Sequence, residues 1–129
     1  MKKFLFLFCL VLSVNILTTT LISASNTVNT YYLGVYRDEN NDEAYINAQS
    51  DGVFLIAYYN GAGTYVRTYC QSYTLTSTHF SASCTDARLC TADGTPLDSV
   101  IGTFVTQGTV TKGTSVLKIK SNGHTYAKE

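Results

Sequence analysis

The chain has 129 residues, nine Lys and Arg set against nine Asp and Glu, and no basic run beyond Lys2-Lys3. That balance excludes the phosphate-tracking surface of a nucleic-acid binder and a polybasic membrane-surface segment. Ten Tyr, plentiful Thr, Val and Gly, one Pro and no Trp point to strands and turns rather than helices.

The first stretch, MKKFLFLFCLVLSVNILTTTLISAS, has the order of a secretory signal. Lys2 and Lys3 precede the apolar run Phe4 to Val14, and Ile22-Ser23-Ala24-Ser25 supplies the cleavage region. Cleavage is expected after Ala24 or Ser25, which makes residues 1–24 a signal peptide and residues 25–129 a single domain. A retained anchor needs about 20 predominantly apolar residues, and Asn15 with Thr18-Thr19-Thr20 interrupts the run. Phe8 stands before Cys9 where a lipoprotein requires a small residue. The expectation is an exported protein, periplasmic or secreted and of bacterial type, with no membrane span after cleavage. Its domain then keeps seven basic and nine acidic side chains, a charge of −2.

In chain order, Thr30 to Arg37 alternates, and Asp38 to Glu43 (DENNDE) reads as a polar loop. Ala44 to Gln49 alternates again, and Ser50-Asp51-Gly52 signals a hairpin. Val53 to Tyr59 is apolar on both faces and reads as the most buried strand. After Asn60-Gly61-Ala62-Gly63, Thr64 to Cys70 pairs back onto it. Ser72 to Thr76 and Thr78 to Cys84 read as two more strands, the second with Phe80, Ala82 and Cys84 inward. A polar, cysteine-rich loop is expected from Cys84 to Ser99. Val100 to Thr111 follows as one long strand or two short ones, Lys112-Gly113 turns, and Thr114 to Lys120 alternates. Ser121-Asn122-Gly123 makes the last hairpin before His124 to Lys128. The pattern predicts an all-β fold, a small antiparallel meander of seven or eight strands. An up-and-down barrel is favoured over a two-sheet sandwich, because most links are nearest-neighbour hairpins and closure removes edges.

Three cysteines survive signal cleavage, so one has no partner within the monomer. An exported chain makes this a disulfide question first. Cys84 and Cys90 flank the shortest loop and are the expected pair. Cys70–Cys84 and Cys70–Cys90 are the alternatives. On the expected pairing, Cys70 is a small inward strand residue.

No motif supports an enzyme, and no cofactor is implied. The chain lacks a G-x-S-x-G elbow, and Asp51, Asp86, Asp93 and Asp98 sit where turns favour Asp anyway. Asp38, Asn40 and Asp42 match the first positions of a Ca²⁺ loop. Glu43 stands where that loop needs Gly, however, and Gln49 where it needs Glu, so a solvated acidic loop is the better reading. His79 and His124 have no second ligand at zinc spacing and read as surface residues. No metal site is therefore assigned. The aromatic stripe Tyr65, Tyr69 and Tyr73, with Arg67 between, is the strongest binding candidate, since Tyr offers a flat apolar body and a hydroxyl. Asp86 and Arg88 join it from the cysteine-rich loop. The expected function is a non-enzymatic binding module for a protein or glycan partner. A barrel enclosing a small ligand and a disulfide-linked structural envelope component are the alternatives.

Overall fold

The computed structural model describes residues 28–60, 63–113 and 116–129. The signal-peptide reading of residues 1–24 lies outside them. After a single 3₁₀ turn at Thr30–Tyr32, nine strands follow: β1 Gly34–Asp38, β2 Asn41–Gln49, β3 Gly52–Tyr58, β4 Tyr65–Cys70, β5 Ser72–Leu75, β6 His79–Cys90, β7 Pro96–Lys112, β8 Leu117–Ser121 and β9 His124–Lys128. They form one antiparallel sheet in the order β4-β3-β2-β1-β9-β8-β7-β6-β5, and a further β4–β6 pairing closes it. The result is an eight-stranded up-and-down barrel with β5 as an extra strand.

Closure carries a stagger. From Thr111 on β7, the ladder runs through Lys118, Ala127, Arg37, Tyr45, Ile56, Arg67 and Arg88. It returns to β7 at Val100, eleven residues from where it began. Tilted strands in a closed sheet require such a shear, and it is why β7 runs through 17 residues. One end of β7 pairs with β8 while most of its length pairs with β6.

Alternation sorts the side chains. Val53, Leu55 and Ala57 of β3 join Tyr36, Ile46, Phe80, Phe104, Ile119 and Tyr126 in the buried interior. Ile56 points the other way and packs with Ala44, Tyr65 and Cys90 in a second, smaller cluster. The β6–β7 connection covers that cluster: Ala92 packs against it, and Asn41 donates to the Ala92 carbonyl at 3.1 Å. β3 is apolar on both faces because both faces are covered.

Three expectations are corrected. Thr30–Tyr32 is a 3₁₀ turn, begun by the Asn29 side chain accepting from the Tyr31 amide, so the first strand starts at Gly34. Residues 41–43 belong to β2, the irregular pairing falling between Arg37 and Asp38 on the facing strand. The expected loop from Cys84 to Ser99 shrinks to the link between Cys90 and Pro96, because β6 and β7 pair through most of it across register shifts.

Candidate binding cleft

β4 and β5 are two halves of one strand. Tyr65↔Cys90, Val66↔Leu89 and Arg67↔Arg88 keep the same register as Ser72↔Ser83 through Leu75↔Phe80. Between them residues 68–71 and 84–87 carry no ladder pairs with each other. Each side slips phase there. Cys70 and Tyr73 are both buried, as are Cys84 and Ala87, three residues apart where alternation would require two. Asp86 takes up the slip at φ 56°, in the left-handed region that Asp tolerates better than most residues. Thr68 Oγ1 bridges the window by donating to the Thr85 carbonyl at 3.1 Å.

The disulfide crosses the same window. It joins Cys70 to Cys84, whose Cα atoms are 4.3 Å apart. Among the described residues Cys90 is the free cysteine, and it is buried. The Cys84–Cys90 expectation is overturned by geometry. Both residues lie on the single extended strand β6, where six residues span roughly 20 Å. Burial raises the Cys90 thiol pKa, with nearby Arg67 lowering it and Asp93 raising it. The inert role expected of Cys70 falls to Cys90.

Over this window, the outer surface holds two adjoining hollows. One, of about 290 Å³, is lined by Phe54, Arg67, Tyr69, Asp86, Arg88 and Leu89, among others. The other, of about 560 Å³, is lined by Tyr69, Gln71, Ser72, Ser83, Thr85 and Asp86. Tyr69 is 43% exposed and stands between them, its hydroxyl donating to the Asp51 carbonyl at 3.1 Å. Arg67 lies over the Phe54 ring at 6.0 Å.

Four of the six residues expected to bind therefore meet in one place: Arg67, Tyr69, Asp86 and Arg88. The other two are displaced. Tyr73 turns into the interior beyond the phase slip, and its hydroxyl donates to the Gln49 carbonyl. Burial raises its pKa to about 12. Tyr65 is buried in the smaller cluster. Burial chiefly raises its pKa, with a side-chain hydrogen bond to Asn41 lowering it and Asp38 raising it. The expected stripe of three tyrosines reduces to Tyr69. Phe54 joins the cleft from the neighbouring strand, and cross-strand pairing with Tyr69 was the signal for it.

A second grouping sits at one rim. Asp38, 2% exposed, accepts from the Asn40 amide at 2.9 Å, and its other oxygen meets His124 Nδ1 at 2.5 Å. His124 stacks on Tyr58 at 4.2 Å, while Tyr126 Oη accepts from the Tyr58 amide at 2.8 Å. The solvated acidic loop is thus corrected at its first residue, and His124 is not a free surface residue. Glu39 of the same stretch pairs with Lys118 at 2.6 Å. Among the described residues, no three His, Cys, Asp or Glu gather as a metal site would require. The nearby Ser121 hydroxyl is engaged with Thr106 and the Gln107 carbonyl. The rim grouping therefore acts as a lock between strands.

Comparison of the chain with protein-family profiles, curated proteins and solved structures finds no match. Any functional reading rests on the cleft itself.

Proposed function

We propose that the chain is an exported, non-enzymatic β-domain that binds a protein or glycan partner through the cleft of Arg67, Tyr69, Asp86 and Arg88. The observation that carries this is the interrupted β4–β6 ladder. A sheet that pairs throughout leaves only a pleated outer surface, whereas here the backbone pairing is interrupted by matched phase slips and the two strands are pinned together by a disulfide. A rigid frame with a few convergent polar groups and exposed aromatic surface is the usual form of a binding site. The disulfide is compatible with an oxidising compartment, and no helix among the described residues is long and apolar enough to cross a membrane.

The alternatives have less support. Tyr36, Phe80, Phe104 and Tyr126 pack within the barrel, where an enclosed ligand would need room. Cys90, the thiol left over for an intermolecular link, is buried. The test is binding of the domain to glycan and peptide arrays, alongside the doubly substituted Arg67→Ala, Tyr69→Ala protein. Binding that disappears in the variant while its melting curve is retained supports the cleft. Binding that survives the double substitution, or a domain that binds nothing on either array, counts against it.

A further inference from the structure

Arg67 and Arg88 stand directly opposite each other on β4 and β6. Residues so placed have Cβ atoms about 5 Å apart, and like charges in that position destabilise a sheet. Three of the other five long cations of the barrel wall have partners, while Lys112 on β7 and Lys120 on β8 stand exposed and apart. Arg37 reaches the Glu129 carboxylate and the Asp42 carbonyl, Lys118 pairs with Glu39, and Lys128 donates to the Tyr31 carbonyl at 2.7 Å. Among the described residues, no ion pair or side-chain hydrogen bond involves Arg67 or Arg88. Asp86 lines the same hollow but lies beyond ion-pair distance of both. A domain with more acidic than basic residues thus places two unneutralised guanidiniums side by side, at the mouth of its cleft.

Resting on the cleft reading above, we infer that Arg67 and Arg88 form a subsite for the anionic group of an acidic sugar, a carboxylate or sulfate carried on a pyranose ring. Two planar guanidiniums offer paired donors matched to such oxyanions. Phe54 and Tyr69 flank them on the same face, two residues from Ile56 and Arg67 along their strands, and supply apolar surface for the C–H face of the ring. A volume of about 290 Å³ suits one or two sugar rings better than a folded protein epitope. Binding an anion there relieves the repulsion between the arginines, so the ligand neutralises what the sheet leaves uncompensated.

The test is calorimetric titration of the disulfide-intact domain with an oligogalacturonate, a heparin-derived oligosaccharide and a neutral dextran oligosaccharide, at low and physiological salt. At least one acidic sugar should bind about tenfold or more tightly than the neutral one, with affinity falling as salt rises. An oligogalacturonate that binds as tightly as the heparin fragment shows that a carboxylate suffices, and tight binding of the heparin fragment alone shows that sulfate is needed. Arg67→Gln and Arg88→Gln should each weaken binding by about tenfold, as loss of a charge-assisted hydrogen bond does. Arg67→Lys should recover only part of it, because the charge returns without the fork. Equal binding of acidic and neutral sugars, lost together in Tyr69→Ala, overturns the anion subsite and leaves the cleft standing. Tight binding of polyglutamate with no sugar binding overturns the ligand class. Acidic sugars that bind undiminished to both Gln variants overturn the subsite and the cleft reading together.

Discussion

His124 Nδ1 lies 2.5 Å from the carboxylate of Asp38, so that the first strand and the last are joined by side chains at one rim of the barrel. The β1–β9 ladder itself is short, running only from Tyr36↔Lys128 to Asp38↔Tyr126. The side-chain pair, the Asn40 amide on the other carboxylate oxygen and the Tyr58 ring stacked on the imidazole extend that seam. Asp38→Ala removes the acceptor of the partly buried His124 Nδ1 and of the Asn40 amide, at a cost of about 1.5–3 kcal/mol, the range for hydrogen bonds to a charged group. His124→Ala should cost a comparable amount. Urea unfolding of both single variants and the double variant should give a coupling energy of about 0.5–3 kcal/mol, as residues in direct contact show. Purely additive losses would mean that the pair does not act as a unit.

The disulfide prediction concerns chemistry and stability together. Peptide mapping under non-reducing conditions should recover Cys70 linked to Cys84, with Cys90 alkylated only after unfolding. Burial disfavours the Cys90 thiolate, which is the reactive form. Replacing Cys70 and Cys84 by Ser should cost about 3 kcal/mol, the chain-entropy value for a loop near this length. Cys90→Ala should cost on the order of 1 kcal/mol, since it trims one small buried group. Native Cys90 that alkylates as fast as a free peptide thiol would contradict its place in the smaller cluster.

The barrel was legible in the sequence because its signals are local. Alternation at Ala44 to Gln49, the turn at Ser50-Asp51-Gly52 and the hairpin at Ser121-Asn122-Gly123 each lie within a few residues. The apolar run of β3 also announced burial on both faces, although not that the β6–β7 link would cover the outer one. The cleft was half legible. Arg67, Tyr69, Asp86 and Arg88 were found, but strict alternation carried Tyr73 to the wrong face. The clue was spacing: Cys70 to Tyr73 and Cys84 to Ala87 break the period of two at facing positions, and neither break means much until the strands are paired. Asp38 and His124 are 86 positions apart, and no local pattern connects them.

The cover over the smaller cluster depends on one glycine. Gly94 has φ +85°, and a Cβ there would come within 2.7 Å of Ile56 Cδ1. Gly94→Ala must therefore adopt a left-handed backbone and displace Ile56 as well. A loss of about 1–3 kcal/mol is expected, the usual cost of overpacking, together with faster alkylation of Cys90 as the cover lifts. An unchanged Cys90 rate would show that the link does not shield the thiol.

Alkaline pH should unfold the domain through its buried phenols. Burial raises Tyr36 and Tyr73 from the ordinary value of 10.0 to about 12, and raises Tyr126 further. Above pH 10 the unfolded chain releases phenolic protons that the folded chain still holds. Deprotonation then favours unfolding. The tyrosine contribution is fully present below about pH 10 and is lost as pH climbs towards 12. Tyrosinate absorbance should rise in two steps, the exposed rings first and the buried ones with the loss of near-ultraviolet dichroism. A single step at the ordinary value, with the dichroism intact, would show the interior open to hydroxide.

Tyr65 and Tyr69 lie on the same strand four residues apart, and they should respond in opposite ways. Tyr65→Ala empties part of the smaller cluster and should cost about 3–5 kcal/mol, as other buried aromatic truncations do. That is a large share of a total that is about 5–15 kcal/mol for most domains. Tyr69→Ala loses an exposed ring and one hydrogen bond to the Asp51 carbonyl, so about 0.5–1.5 kcal/mol is expected. Ligand binding should follow the reverse order: abolished in the well-folded Tyr69 variant, and retained per folded molecule in the Tyr65 variant below its melting temperature. Denaturant curves and titrations on the same two proteins decide the matter. If Tyr69→Ala is the more destabilising change, its ring is part of the packing and the cleft loses its aromatic wall.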